Sequence, residues 1–265
     1  MKILTLNAHS LSEKNQNEKI KQTADFILEE GVDVILLQEV CQTIFKGAID
    51  SDDKYIGEPN LKKDNYAQAL SNALEQKYAW TWAPIKIGFG RFEEGVAIFS
   101  KTPILEREEF VISKAKNFMN WRKRATLGIR NEKGWFFTTH MGWWQDEEDP
   151  FLGQWEQMEK HIRKKEGKIY LAGDFNAPDI FSDQSYQTIL KSGWLDSYML
   201  AKEKIGKDSA KGNIIGWNNN EMTSMRIDYV FMSEEMNVEK YEIVFDGKRT
   251  PQVSDHYGVF VTIEE

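Results

Sequence analysis

The chain has 265 residues, 41% of them hydrophobic, and a formal net charge of −8. This length supports one substantial core, so we expect a single domain over residues 1–265. The negative charge disfavours long duplex DNA as a partner, because DNA-binding faces are usually basic, and the single cysteine excludes a disulfide framework or a cysteine-based zinc site.

Strands and helices alternate in the first part of the chain. The Lys2–Leu6 run predicts a strand and is too short for a signal peptide or a membrane span, so we expect a soluble, cytoplasmic, monomeric protein. Val32–Leu37 is apolar throughout and predicts a strand buried on both faces, ending at Gln38–Glu39. The other elements predicted before residue 101 are helix Glu13–Glu30, helix Asp64–Lys77, strand Trp80–Ile87 and strand Gly95–Ser100.

Strands predominate in the rest of the chain. They are predicted at Glu108–Ser113, Ala125–Arg130, Trp135–Thr139, Lys168–Ala172, Tyr229–Met232, Glu239–Phe245 and Tyr257–Ile263. Helices are predicted at Phe151–Lys165 and near Asp183–Lys191. Because consecutive strands and strand–helix–strand units both occur, the sequence predicts an α/β fold, a two-sheet sandwich with helices on its outer faces.

A set of polar residues stands at the ends of these strands. Those that follow a strand are Asn7, Glu39, His140 and Asp174, and those that precede one are Asp228, Asp255 and His256. If the last strands run antiparallel to the earlier ones, all of these residues lie on one rim of the sandwich. Folding does not require unpaired carboxylates to crowd one edge, so the pattern indicates a functional site.

Each of these residues alone has a structural alternative. Asn7 can be a turn residue, His140 a buried histidine with satisfied hydrogen bonds, and Asp228 the ion-pair partner of Arg226. Asp174 and Asn176, two apart after an apolar strand, would point to one side of an extended chain, or would form an Asx turn that closes the strand. Taken together, the set favours a site.

The chemistry that fits the set is hydrolysis of phosphate esters. A divalent cation such as Mg²⁺ prefers carboxylate and amide oxygens, so the metal ligands are predicted to be Glu39, Asn7 and Asp255. Two histidines, His140 and His256, can take or donate protons, each oriented by a carboxylate. The predicted partners are Asp228 for His256 and Glu94 for His140, although Glu93 is equally available. Asp174 and Asn176 would hold the attacking water and the phosphoryl oxygens.

In order along the chain, these motifs resemble those of the endonuclease/exonuclease/phosphatase superfamily, the relatives of pancreatic deoxyribonuclease. They are Leu6-Asn7, Leu37-Gln38-Glu39, Thr139-His140, Gly173-Asp174-Phe175-Asn176, Arg226-Ile227-Asp228-Tyr229 and Ser254-Asp255-His256. The resemblance runs from the first strand to the last, and the Glu94–Ile104 segment is similar to that of compact bacterial members.

The resemblance implies a four-layer α/β sandwich, with two packed mixed sheets flanked by helices, and phosphoester hydrolysis that depends on Mg²⁺ or Mn²⁺. It implies that Glu39 binds the metal with help from Asn7, and that His140 binds or protonates the phosphate. It leaves open whether Asp174 or His256, the latter paired with Asp228, is the general base. AP endonucleases have a tyrosine where this chain has Thr139-His140, which disfavours abasic-site repair.

Aromatic and basic residues near these motifs are the candidates for substrate binding. They are Arg124, Trp143, Trp144 and Trp217. The tryptophans can stack on a base or a sugar, or can pack their loops onto the body. The acidic run 146–149 would repel polyanions, so we expect a small phosphoester substrate rather than long nucleic acid. The alternatives are a phosphate-binding module without turnover and a nuclease acting on DNA or RNA.

Overall fold

A computed structural model describes residues 1–180, 185–211 and 224–264. The strands are β1 Lys2–Asn7, β2 Val34–Thr43, β3 Ala79–Gly88, β4 Phe92–Ser100, β5 Glu106–Val111, β6 Ala125–Asn131, β7 Gly134–His140, β8 Ile169–Asp174, β9 Leu195–Asp196, β10 Glu203–Ile205, β11 Ala210–Lys211, β12 Ser224–Met225, β13 Asp228–Met232, β14 Val238–Val244 and β15 Gly258–Ile263. The helices are α1 Gln16–Glu30, α2 Tyr66–Ala73, α3 Phe151–Ile162, α4 Tyr186–Lys191 and α5 Ser197–Leu200.

Two large mixed sheets form the centre of the molecule. The first sheet has the strand order β10-β14-β15-β1-β2-β4-β3, and the second has the order β5-β6-β7-β8-β13-β9. Strands β11 and β12 form a small separate pair. Among the described residues, no helix is both long and apolar enough to cross a membrane.

The β2 strand shows why its sequence is apolar without alternation. Ile35 and Leu37 point toward α1 and α2, where they join an outer hydrophobic cluster. Val34 and Leu36 point to the other face and join the cluster between the two sheets. A third cluster packs α3 and α4 onto the outer face of the second sheet. The layers are therefore helix, sheet, sheet and helix, which confirms the predicted four-layer α/β sandwich.

The strand directions agree with the expectation of one shared rim. Strand β1 runs parallel to β2, and β7 runs parallel to β8. Strands β15 and β13 run antiparallel to β1 and β8. The residues that end the earlier strands and those that precede or begin the later ones consequently meet at one edge of the sandwich.

The end of β2 differs from the prediction. The strand does not stop at Gln38–Glu39 but continues to Thr43, with a break in its register against β4 between Leu37 and Val40. Glu39 lies in this bulge with a left-handed backbone angle, φ 50°. Bulges redirect side chains, so Glu39 reaches the rim from within a strand rather than from its end.

Candidate active site

Asn7 joins carboxylates from the two sheets. Its side-chain Nδ2 donates to Glu39 Oε1 at 2.9 Å and to Asp174 Oδ2 at 3.1 Å. Its Oδ1 accepts from the backbone N–H of His9 at 3.1 Å. Asn7 and Asp174 are buried, and Glu39 is partly exposed. Asn7 is therefore part of the site and is not only a turn residue.

His256 and Asp228 form a buried pair. His256 Nδ1 donates to Asp228 Oδ2 at 2.9 Å, and the hydroxyl of Ser209 donates to the same oxygen at 2.7 Å. The other nitrogen of the ring, Nε2, lies 3.9 Å from Asp174 Oδ2. Arg226 pairs with Asp196 at 2.6 Å instead of with Asp228. Asp228 therefore orients the imidazole, as a histidine that handles protons requires.

His140 is close to three carboxylates without a hydrogen bond to any of them. Its Nε2 lies 3.6 Å from Asp174 Oδ2, and its Nδ1 lies 3.9 Å from Glu94 Oε1 and 4.0 Å from Glu39 Oε1. Glu94 has a closer partner, because its Oε1 is 3.0 Å from Lys86 Nζ. The predicted Glu94–His140 pair is thus a neighbouring contact rather than a hydrogen bond, since the Lys86 ammonium competes for the carboxylate.

The Gly-Asp-Phe-Asn motif forms a turn that is part of the site. Gly173 has φ 142°, and a Cβ there would lie 2.1 Å from the carbonyl oxygen of Thr139, so only glycine fits. Asp174 Oδ1 accepts from the backbone N–H of Asn176 at 2.9 Å, and Asn176 has φ 49°. This is an Asx turn, not the continued strand that would place both side chains on one face. Asn176 Nδ2 donates to Met141 O at 3.0 Å.

Lys86 is a residue of the site that sequence reasoning missed. It lies in β3, and both its side chain and that of Glu94 are buried at the edge of the cavity. Lys86 is the one charged residue in the Trp80–Ile87 run, and this was the available signal. Arg124 is also buried beside the cavity, and its Nε has no hydrogen-bond partner among the described residues. Two buried cations, Lys86 and Arg124, therefore line the cavity together with the carboxylates.

Burial and like charge raise the proton affinity of the acidic centre. Burial, followed by the nearby Asp228, raises the pKa of Asp174 to about 7. Burial lowers the pKa of His256, but the Asp228 and Asp174 carboxylates outweigh it, so its pKa lies well above the usual range. At neutral pH the Asp174 carboxyl is therefore partly protonated and the His256 ring carries a positive charge.

The opposite shift occurs at His140. Burial, then the positive charges of Arg124 and Lys86, hold the pKa of His140 well below its usual range. Burial raises the pKa of Glu39, and the Glu94 carboxylate raises it further. His140 is therefore a neutral imidazole at pH 7, able to donate one hydrogen bond.

These acidic groups fit a divalent cation. Glu39 and Asp174 both contact Asn7, and a cation would offset the repulsion and desolvation that raise their pKa values. Asp174, Asp228 and His256 also place ligand atoms within 4.8 Å of one another. A metal held by all three would break the His256–Asp228 hydrogen bond, so we favour the Glu39 side of the site.

Asp255 contacts His9. Its Oδ1 is 3.5 Å from His9 Nδ1, which in turn contacts Glu13 Oε1 at 2.7 Å. These three side chains form a separate, partly exposed group of potential metal ligands. The role of Asp255 as a ligand beside Glu39 therefore stays a prediction.

A cavity of about 530 Å³ opens over this centre. Its floor includes Glu39, His140, Asp174 and His256, and its walls include Arg124 and Trp143. Trp144 packs against the hydrophobic cluster that contains α3 and, unlike Trp143, is not among the residues that line the cavity. Trp217 lies outside the described residues.

Comparisons with known proteins agree with this architecture. A solved endonuclease/exonuclease/phosphatase family protein from Leptotrichia buccalis is 30% identical, with full coverage of both chains and a TM-score of 0.85. A mannosyl-6-phosphatase from Bacteroides thetaiotaomicron is 19% identical, with full coverage of both chains and a TM-score of 0.69. TDP2 from D. rerio, complexed with a single-strand DNA product, is 15% identical, with 100% and 99% coverage and a TM-score of 0.67.

The last two similarities show the fold alone. No curated protein matches the chain by sequence. The model of the Endonuclease/Exonuclease/phosphatase family matches residues 4–256, from β1 to His256. This match includes the strand ends that carry the acidic centre and both of its histidines. The chain belongs to the endonuclease/exonuclease/phosphatase family.

Proposed function

We propose that this protein is a divalent-metal-dependent hydrolase of small phosphate esters. The observation that carries the proposal is the His256–Asp228 pair, whose free Nε2 faces Asp174 on the floor of an open cavity. A buried, oriented imidazole next to a carboxylate of raised pKa is suited to moving a proton from water. Glu39 adds carboxylate oxygens to this floor, and the amide nitrogen of Asn7 holds that carboxylate by a hydrogen bond.

Glu39 is the residue that would hold Mg²⁺ or Mn²⁺, and Asn7 would support it through the hydrogen bond from its Nδ2. When bound, the cation supplies charge neutralisation at the phosphoryl and leaving-group oxygens. Glu39 suits this role because it is the partly exposed carboxylate of the centre and its pKa is raised first by burial. The Nδ2 of Asn7 holds Oε1 of the Glu39 carboxylate, and Glu39 lines the cavity.

The protein groups around the phosphoryl site supply proton transfer and stabilise the negative charge on the phosphoryl oxygens. In the fraction of molecules whose Nε2 is unprotonated, a fraction that the raised pKa of His256 makes small at neutral pH, His256 takes the proton of the attacking water, and Asp228 stabilises the resulting imidazolium. Asp174 lies 3.9 Å from the same nitrogen and is the second candidate for the base. Neutral His140 and the Arg124 guanidinium donate to phosphoryl oxygens, where negative charge increases during the reaction. The backbone N–H of Asn176 positions the Asp174 side chain by donating to its Oδ1 in the Asx turn.

The charges near the cavity support a small substrate. Asp146 and Asp149 line its wall, and the whole chain carries a net charge of −8. A long polyanion would meet repulsion both at the wall and over the surrounding surface. A phosphoester of limited size needs to satisfy only the metal, His140 and Arg124. Monoester and diester substrates both fit this description.

The test is turnover of p-nitrophenyl phosphate and bis-p-nitrophenyl phosphate with Mg²⁺ or Mn²⁺ present. We expect hydrolysis by the wild type and a loss of at least about 100-fold in kcat for His256→Ala, in line with the usual contribution of a general base. Met199→Ala, at an exposed position away from the cavity, is the control. A folded protein that binds phosphate but turns over no member of a broad phosphoester panel would instead be a binding module.

A further inference from the structure

Two exposed aromatic side chains stand at the mouth of the cavity. Phe89 is 69% exposed at the tip of the β3–β4 hairpin, and Trp121 is 55% exposed in the loop before β6. Both line the cavity. The hairpin and the loop are tied together by a hydrogen bond from Ile87 N to Phe118 O at 2.9 Å. The fold thus holds two large apolar faces in water beside a polar centre.

The position of Phe89 is conformationally unusual. It has φ 49°, a region that a bulky side chain seldom adopts, and it lies between Gly88 and Gly90. The ring of Trp121 is braced on its own loop by the guanidinium of Arg122, 4.4 Å from the ring centre. Exposed aromatic faces held at the rim of a concave site are typical of ligand-binding surfaces.

The polar groups of the same wall are already paired within the protein. Arg122 is bonded to Asp146 at 3.1 Å and to Glu148 at 3.0 Å. Gln154 Oε1 accepts from Gly142 N, and its Nε2 donates to Asp149 O, each at 2.9 Å. A sugar recognised by its hydroxyls needs donors and acceptors that remain available. A planar ring needs only a face to stack on, so the wall favours a planar ring.

We propose that Phe89 and Trp121 form an aromatic subsite that stacks the planar ring of a nucleotide-sized phosphoester. The phosphoryl group lies on the Glu39–His140 floor, and the ring of its alcohol portion lies at the mouth. The cavity of about 530 Å³ is within the usual range of small-molecule sites. The subsite rests on the proposed function, since it assigns the other end of the same substrate.

The test compares two ligands that differ by one planar base. Adenosine 5′-monophosphate and ribose 5-phosphate share the ribose and its 5′-phosphate, and only the first has a base. We expect the Mg²⁺-loaded protein to bind adenosine 5′-monophosphate about tenfold more tightly, by isothermal titration calorimetry, because base–aromatic stacking has this order of magnitude. The preference for adenosine 5′-monophosphate should fall to about twofold or less in the double variant Phe89→Ala/Trp121→Ala, because both stacking faces are lost.

Matched variants make the result specific. Phe45→Ala removes another exposed aromatic ring that does not line the cavity, and should leave the tenfold preference intact. Because Phe89 and Trp121 are exposed, their single alanine variants should keep the wild-type melting temperature. Equal binding of the two ligands by the wild type, no binding of either, or a preference that survives the double substitution would overturn the subsite.

The same data separate this subsite from the proposed function. A ring preference that depends on Phe89 and Trp121, in a protein that hydrolyses no phosphoester, would retain the subsite and refute the hydrolase. Hydrolysis of phosphoesters without any ring preference would retain the hydrolase and refute the subsite.

Discussion

Removing the positive charge of Lys86 should destabilise the protein substantially. Lys86 Nζ lies 3.0 Å from Glu94 Oε1, and the two side chains are only 8% and 10% exposed. At an effective dielectric constant of about 20, two unit charges at this distance attract by about 5 kcal/mol. Arg124 remains nearby and compensates part of the loss. For Lys86→Met we therefore expect about 3 kcal/mol, at the lower end of the cost of breaking a buried pair.

Chemical denaturation and a double-mutant cycle measure this effect. A loss of about 3 kcal/mol would lower the melting temperature by about 6–12 °C in a protein of this size. Glu94→Gln in the Lys86→Met background should recover about 2 kcal/mol, because the buried carboxylate no longer lacks its partner. Lys21→Met, which breaks the exposed Lys21–Asp25 pair, is the control and should leave stability unchanged. A Lys86→Met variant as stable as the wild type, or strictly additive effects in the cycle, would refute this reasoning.

Two other predictions concern stability around the Gly-Asp-Phe-Asn turn. Gly173→Ala should lower the free energy of unfolding in urea by at least about 2 kcal/mol, because its Cβ would lie 2.1 Å from the Thr139 carbonyl oxygen and its backbone is left-handed. Gly153→Ala is the control: a Cβ there meets nothing within 4 Å, so this variant should stabilise α3 by about 0.5–1 kcal/mol. Equal effects of the two substitutions would contradict the close packing of Gly173 against β7. The Asp174 carboxyl has a folded-state pKa of about 7, raised by burial and by Asp228, so the folded state binds this proton more tightly than the unfolded state. The metal-free wild type should therefore lose stability relative to Asp174→Asn as pH rises from about 4 to about 7. Denaturant titrations of both proteins across this range measure the effect. A difference in unfolding free energy that does not change with pH would count against the raised pKa of Asp174.

The rim of polar residues was predictable because it depends on local sequence. Apolar runs predict the strands, and the polar residue directly after or before a run predicts a side chain at the end of that strand. Asn7, Asp174 and Asp228 illustrate this, since each is the terminal residue of its strand. The sandwich brings these polar residues together, because the carboxyl ends of the parallel strands and the amino ends of the antiparallel strands lie at the same edge.

Features that depend on register across strands or sheets were not predictable. The bulge that carries Glu39 is a mismatch between β2 and β4, and no single strand encodes it. Glu94 contacts Lys86 rather than hydrogen-bonding His140 because the two residues face each other across the β3–β4 pair, which itself contains a register shift. Asp255 contacts His9 because β1 and the segment before β15 end side by side.

The central claim is that a divalent cation held near Glu39 is required for phosphoester hydrolysis. Its most direct test is hydrolysis of bis-p-nitrophenyl phosphate by EDTA-treated protein during titration with Mg²⁺ or Mn²⁺, for the wild type and Glu39→Gln in parallel. The wild type should be inactive without metal and should regain saturable activity, and Glu39→Gln should remain inactive across the same titration. Full activity in EDTA, or wild-type activity of Glu39→Gln at the same metal concentration, would contradict the account.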